Sequence, residues 1–481
     1  MPMRDMNRKI SAGVLWNLAG LFMKNGASTV FTLFLAKLLA PESFGLIAMI
    51  TIVFQVATVI VQSGLGQSLI RSESVSQTDL NTVFYTNMVM AGLVYAAIFF
   101  SAPWVAHFYE QPVLVELLRV TALVVVFNAA KMVQVAVLVR AMNFKAQMKA
   151  NTTGVLLSGT AAVAAAYAGF GVWSLALQIV ASAVVSTLIL WIASTWRPSW
   201  SFSIGSFRHH FSFGVNLLAE GLLEVVFQNS YVLVIGRFFS AEMAGLYYFA
   251  RRISDLISQQ FTGAVQQATY PALATLQNET ENLKAKYREI IQVTMAIISP
   301  IMFLIAALSE PVVSLLFGEK WLGAVPYIQV LSWVAVLYPL HALNVNALKV
   351  KDRSDLVLKV GFVKKAVSLS ILVASIPYGV LGIVVGQAVA STLALLPNTY
   401  FCRRLVNYSL MEQMADISKP MFSAAIAAMS AWLVVRYMEA HDFMVLLVSG
   451  LIGLFLYIVI SLAVRSVGAL TILAQVKRRL L

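Results

Sequence analysis

The sequence predicts an all-α polytopic membrane protein of about fourteen transmembrane helices, two six-helix bundles related by a parallel repeat plus two C-terminal helices. Three observations predict it. Apolar types make up 60% of the 481 residues and charged types 11%, against about 45–50% and about 25% in an average soluble domain. The apolar residues come in runs of about 18 or more, the length a helix needs to cross the hydrocarbon core. The basic residues fall mostly on one side of those runs. Together these exclude a soluble globular enzyme, a disordered chain and a single-span receptor. No hydrophilic stretch is long enough for an independent water-soluble domain.

The N-terminus reads MPMRDMNRK and runs straight into a long apolar segment. A cleaved signal peptide has a shorter apolar core and a small-residue cleavage site. The segment therefore reads as a retained first span with its basic flank in the cytoplasm. The spans fall near 14–36, 44–66, 82–103, 113–138, 152–169, 172–194, 212–235, 244–268, 288–309, 325–348, 358–377, 379–401, 419–437 and 443–464. Membrane β-strands are about 10 residues long and alternate apolar with polar, which these runs do not.

An even number of spans leaves both termini on one side. With the N-terminus inside, 23 of the 34 Lys and Arg lie in cytoplasmic segments, and only Lys37, Arg237, Lys320 and Arg436 face the other side. One span more or fewer would swap every later loop and spoil this bias. The net charge of +13 thus reports orientation and implies no nucleic-acid partner. Cys402 is the single cysteine, which excludes an intrachain disulfide and any multi-cysteine metal site.

LAKLLAPESFGLI (35–47) and IGRFFSAEMAGLY (235–247) align without a gap, matching Lys37 with Arg237, Glu42 with Glu242 and Gly45 with Gly245. A weaker echo pairs GVWSLALQIVAS (171–182) with GVLGIVVGQAVAS (379–391), allowing one gap. Spans 1–6 therefore resemble spans 7–12 and enter the membrane from the same side. The expected organisation is an N-terminal lobe at 1–196, a C-terminal lobe at 197–404, and two additional spans with a basic cytoplasmic tail at 405–481. Two repeated six-helix bundles with short loops are the plan of an alternating-access transporter, with its cargo site near mid-depth.

Ionisable groups inside spans are costly and mark a pathway or a paired network. Lys24 lies near the middle of span 1, and Glu224 of span 7 is its repeat equivalent, with Glu220 one turn earlier. Span 8 carries Arg251, Arg252 and Asp255, the first and last at i,i+4 spacing. One reading is a water-filled cavity lined by Lys24, Arg251 and Arg252, joined by Lys131 of span 4 and Lys364 of span 11, that holds an anionic head group through charge-assisted hydrogen bonds. Glu220, Glu224 and Asp255 are then coupling or ion-pair candidates. The competing reading makes all of these structural ion pairs, for instance Lys24 with Glu224. Arg119 and Lys131 lie closer to opposite ends of span 4, and either can snorkel; of Lys364 and Lys365, at least one reaches out to lipid phosphates. His341 reads as a hydrogen-bonded helix contact. Asn17, Asn25, Gln55, Gln62 and Asn87 read mainly as helix–helix glue. Segment 139–150, VRAMNFKAQMKA, reads either as an interfacial amphipathic helix or as a basic loop.

No Walker A loop, HExxH or clustered His/Cys site occurs, so neither ATP hydrolysis nor a metal is expected, and no cofactor. No long non-cytoplasmic loop exists to build an acceptor site, which speaks against a membrane ligase or polymerase for sugars.

RSESVSQTDLNTVFYTN (71–87), AGFGVWSLALQ (168–178), IGRFFSAEMAGLYYFARR (235–252), YPALATLQNE (270–279) and GEKWLGAVPYIQVLSW (318–333) resemble the Wzx-type lipopolysaccharide/polysaccharide flippases, in their colanic-acid-exporter-like branch. These belong to the superfamily of multidrug, oligosaccharidyl-lipid and polysaccharide exporters. The resemblance implies a bacterial inner-membrane protein with two V-shaped lobes and both termini cytoplasmic. It implies alternating-access translocation of undecaprenyl-pyrophosphate-linked oligosaccharide repeat units, with membrane lipids and polysaccharide polymerase or export machinery as further partners. Related flippases use basic cavity residues, some in spans 1 and 8, to hold the pyrophosphate; Lys24, Arg251 and Arg252 lie in the matching spans. The alternatives are a cation-coupled multidrug exporter of the same superfamily and, from another class, a membrane polysaccharide polymerase or ligase.

Overall fold

Every regular element in the computed structural model is helical among the described residues, 3–62, 64–438 and 441–480. The side chains of 3–15, 17–19, 21, 22, 212–217, 219, 220, 476 and 478–480 lie outside the described set, and with them Asn17 and Glu220. The chain forms two compact units, Met1–Gly245 and Leu246–Leu481.

The first unit holds α1 (Met3–Leu38), α2 (Pro41–Gln62), α3 (Leu65–Arg71), α4 (Gln77–Tyr109), α5 (Leu114–Thr121), α6 (Leu123–Arg140), α7 (Phe144–Tyr167), α8 (Val172–Ala193) and α9 (Ile204–Phe238). α1 packs on α7, α7 on α8, and α6 between α4 and α8, while α2 lies along α9. Gly64, at φ 67°, turns the chain between α2 and α3, a conformation in which a Cβ is costly. A capping box starts α4: Ser76 Oγ accepts from the Asp79 amide, and the Asp79 carboxylate accepts from the Ser76 amide.

The second unit continues α10 (Ala241–Thr275, its first five residues belonging to the first unit) and adds α11 (Thr280–Ala307), α12 (Ser309–Phe317), α13 (Val325–Val350), α14 (Ser354–Ser375), α15 (Gly379–Leu393), α16 (Leu395–Val406), α17 (Leu410–Tyr437), α18 (Asp442–Ala463) and α19 (Val467–Leu480). Its core lies where α11 meets α13 and α17, around Tyr287, Met295, Leu340, Cys402 and Tyr408.

Nine stretches among the described residues are long and apolar enough to cross a membrane. The chain is thus a multi-pass helical membrane protein. The figure of fourteen crossings rests on the sequence and its charge bias. Span 4 is observed as two helices meeting at Ala122. Residues 139–150 form no separate interfacial helix. They are the end of α6, a turn in which Met142 has φ 54°, and the start of α7, whose cap Asn143 accepts from the Ala146 amide. The division by packing falls at Gly245, whereas the repeat divides the sequence at 196/197. α9 joins the first unit through its contacts with α2, α3 and α4.

The aligned glycines of the repeat touch each other. A Cβ at Gly45 would fall 1.7 Å from the Ala241 carbonyl oxygen, and one at Gly245 would fall 1.9 Å from that of Pro41. Pro41 and Ala241 are themselves repeat equivalents, so the contact is reciprocal, as a two-fold relation requires. All four residues lie within the first unit.

Candidate functional site

In the first unit, Lys24 stands on α1 about 14 residues, or roughly 21 Å, before the helix end. Its side chain is exposed. Lys131, on α6, is half-buried and donates from Nζ to Ser186 Oγ of α8 at 2.9 Å. The Lys24 ammonium is near enough for the two charges to feel each other. Glu224, on α9, accepts from Gln228 Nε2 at 2.7 Å. Asn229, the next turn along, donates to Gln55 Oε1 of α2 at 2.7 Å, so Gln55 serves as interhelical glue.

In the second unit, Arg251 of α10 is paired through Nε with Asp255 Oδ2 at 3.2 Å, the i,i+4 contact that the sequence spacing predicts. Arg251 also bonds Tyr247, whose hydroxyl donates to Gln387 Oε1 of α15 at 2.9 Å. Arg251 is therefore held by two neighbours, Asp255 and Tyr247. Arg252, one residue on, is exposed and makes no ion pair among the described residues. Adjacent helical positions point about 100° apart, which separates one arginine built into the helix packing from one presented outward. The sequence names both as cavity candidates, and adjacency on one helix already keeps them from facing one cavity squarely.

Lys364 on α14 is half-buried and within electrostatic range of His341 on α13. His341 has Asn398 Nδ2 at 2.8 Å from Nδ1 and Ser391 Oγ at 3.3 Å from Nε2, the helix contact expected of it. Arg119 lies 4.3 Å above the Phe99 ring and donates to the Phe99 carbonyl. No group of three or more His, Cys, Asp or Glu able to hold a metal occurs among the described residues.

Within their own units, then, Lys24 lies within electrostatic range of Lys131, and Arg251 pairs with Asp255; Glu220 lies outside the described side chains. Sequence reasoning missed Ser186, Tyr247 and Gln387. Gln387 carried a signal: it aligns with Gln178 in the weaker repeat echo. Ser186 carried none, being one of many small polar residues in an apolar helix.

The exposed ammonium of Lys24 and guanidinium of Arg252 are donors without a built-in anionic partner among the described residues. Such groups suit a phosphate or diphosphate, through charge-assisted hydrogen bonds.

Comparison with known proteins gives a consistent picture. A family model described as polysaccharide biosynthesis protein matches residues 34–326, more than half of the chain. The succinoglycan biosynthesis transport protein ExoT of Rhizobium meliloti (strain 1021) is 27% identical over 325 residues, which cover 68% of this chain and 66% of ExoT, just under two thirds of its length. The lipopolysaccharide biosynthesis protein WzxC of Escherichia coli (strain K12) is 23% identical over 389 residues, 79% of this chain and 78% of WzxC. Among solved structures, the lipid II flippase MurJ in an inward closed conformation superposes with a TM-score of 0.77 at 14% identity, over 94% of this chain and 99% of MurJ. At that identity the likeness speaks to the fold.

Proposed function

The chain belongs to the polysaccharide biosynthesis protein family, and from that premise we propose that it is a flippase for lipid-linked oligosaccharides of surface polysaccharide synthesis. It is a membrane transporter rather than an enzyme. The cargo in this reading is an oligosaccharide repeat unit on undecaprenyl pyrophosphate, moved from the cytoplasmic to the periplasmic leaflet of a bacterial inner membrane. Both termini are cytoplasmic, as the distribution of Lys and Arg favours. The moving halves are the repeat lobes 1–196 and 197–404, with 405–481 appended.

One observation carries the mechanism: cations stand exposed on two long helices, Lys24 on α1 in the first unit and Arg252 on α10 in the second, and the hydropathy of the sequence makes these spans 1 and 8. An exposed cation within a span needs water or an anion against it, because hydrocarbon would cost several kcal/mol. A diphosphate supplies the anion. Lys131 reinforces Lys24, and Lys364 adds positive field in the second unit. Arg251, held by Asp255 and Tyr247, is the less available of the two span-8 arginines. Glu224 and Asp255 balance this charge locally.

The multidrug-exporter alternative has the same fold class but no support from the sequence relatives, whose names concern polysaccharides. The test is made in cells that depend on this chain for surface polysaccharide. Lys24→Ala and Arg252→Ala should each abolish the polysaccharide while protein still reaches the membrane at normal levels. Normal polysaccharide in both variants refutes the binding role.

A further inference from the structure

The second unit holds a basic pocket that plays no part in the reading above. It is a cavity of about 780 Å³ where α16 ends and α17 begins, lined by Tyr400, Arg403, Arg404, Asn407, Ser409, Met411 and Glu412. Arg403 and Arg404 are exposed, and Arg404 stacks over the Tyr400 ring with Cζ 4.7 Å from its centroid. Stacking fixes the plane of a guanidinium and leaves its N–H edge free to bond.

The pocket has one acid, and that acid is already committed. Glu412 takes Lys284 Nζ at 2.7 Å and the amide and hydroxyl of Ser409 at 2.8 Å and 2.9 Å. The capping box of α17 is thereby closed on itself, which satisfies the Ser409 and Glu412 amides. Neither Arg403 nor Arg404 makes an ion pair among the described residues. The result is a pocket with two uncompensated guanidinium groups, one of them oriented by an aromatic ring.

Its surroundings identify the source of the missing anion. Along α16 and the end of α15, Leu393, Leu396 and Tyr400 are exposed at helical spacing and lead to Arg403 and Arg404. Along α17, Met411, at the lip of the pocket, is 81% exposed, and Phe422, Ile426 and Met429 are exposed farther along, beyond the exposed Ser418 and Lys419. In a membrane protein such stripes face acyl chains. An apolar stripe on α16 that runs to a pair of arginines just past the end of span 12, with Met411 across from it, makes the shape of a phospholipid, tails down and phosphate in the basic pocket.

We infer that this pocket binds the phosphodiester headgroup of an anionic phospholipid, through Arg403 and Arg404, with Tyr400 orienting the fork and Met411 meeting the glycerol and upper acyl chain. The site is independent of the cargo site: it lies in the second unit alone and uses none of the cargo candidates.

The full chain is placed in nanodiscs of equal phosphatidylglycerol and phosphatidylcholine, and lipids retained on release are identified by native mass spectrometry. Wild type should retain phosphatidylglycerol preferentially. Arg403→Gln/Arg404→Gln should reduce that preference about tenfold or more, the scale of losing charge-assisted bonds. Met411→Glu, which sets a carboxylate at the lip of the pocket, should reduce it as well. Arg465→Gln, at an exposed arginine elsewhere in the same unit, should leave it intact. An unchanged preference in the double variant, or an equal loss in Arg465→Gln, overturns the site. In a parallel arm the lipid is phosphatidylcholine alone and orthophosphate is supplied. Retention of orthophosphate by wild type, together with no preference for phosphatidylglycerol in the first arm, makes free phosphate the ligand and overturns the lipid assignment.

Discussion

Substituting Gly45 with alanine tests the repeat at its tightest point. The new Cβ would lie 1.7 Å from the Ala241 carbonyl oxygen, 2.7 Å from its carbon and 2.9 Å from the Gly245 amide nitrogen. Ordinary contact begins at 3.4 Å, so the two backbones must part by about 1.7 Å. No side-chain rotation relieves this, because every obstructing atom is main chain. Overpacking of a rigid site costs about 1–3 kcal/mol, and a main-chain obstacle places Gly45→Ala at or above the top of that range. Gly245→Ala should cost the same, since its Cβ meets Pro41 in the mirrored geometry. The double variant is the sharper case. Parting the helices once makes room for both methyl groups, so it should cost clearly less than the two singles added together. Gly92, with nothing within 4 Å of its Cβ position, is the control; Gly92→Ala should be neutral or stabilising by up to about 1 kcal/mol. Thermal unfolding of the purified protein in mild detergent reads all four. A Gly45→Ala protein as stable as Gly92→Ala, or strictly additive singles, would refute the argument.

Three further outcomes follow. Asp416, whose side chain is 5% exposed, takes two bonds from Arg288 at 2.5 Å and 2.6 Å, one from Gln292 and one from Tyr408. Asp416→Ala should therefore cost about 2–3 kcal/mol in the same unfolding assay, whereas a loss no larger than that of an exposed aspartate would deny the hub. Lys131→Met removes one of two like charges while keeping the bulk of the side chain, so stability should hold or rise as transport falls; lost stability with full transport would make Lys131 structural. The hydrogen bond from Arg237, at 2.6 Å, holds the Glu110 carboxyl below its ordinary 4.5. A depressed folded-state pKa gives stability that is present above about pH 4.5 and lost as pH falls through the folded value. The melting difference between wild type and Glu110→Gln should accordingly shrink on acidification and in high salt, and a pH-independent difference would show that the pair carries none of it.

Some of this molecule was legible before any coordinates. The apolar runs gave the helices, because hydrocarbon demands long, continuous ones. Gly45 and Gly245 were found by alignment and turned out to touch. The spacing of Arg251 and Asp255 foretold their pairing. Helix length was less legible, since hydropathy sees only the part in oil. α11 begins at Thr280, eight residues before its apolar run, because Lys284 and Arg288 pair there with Glu412 and Asp416 of α17. Those partners lie more than 120 residues away in the chain. Ser186, which takes the bond from Lys131, was hidden because it lies 55 residues away in the chain, and the differing surroundings of Arg251 and Arg252 emerged only when Tyr247 and Asp255 were seen bonded to the first.

The proposed flippase function turns on Lys24 and Arg252 holding a phosphorylated lipid, and direct transport tests it. Purified protein is reconstituted into liposomes carrying an undecaprenyl-pyrophosphate-linked oligosaccharide, and the rate at which the sugar becomes accessible to an impermeant lectin is measured. Wild type should raise that rate; Lys24→Ala and Arg252→Ala should each lower it by about tenfold or more, and Lys24→Arg should retain most of it. Wild-type rates in both alanine variants would contradict the account at its centre.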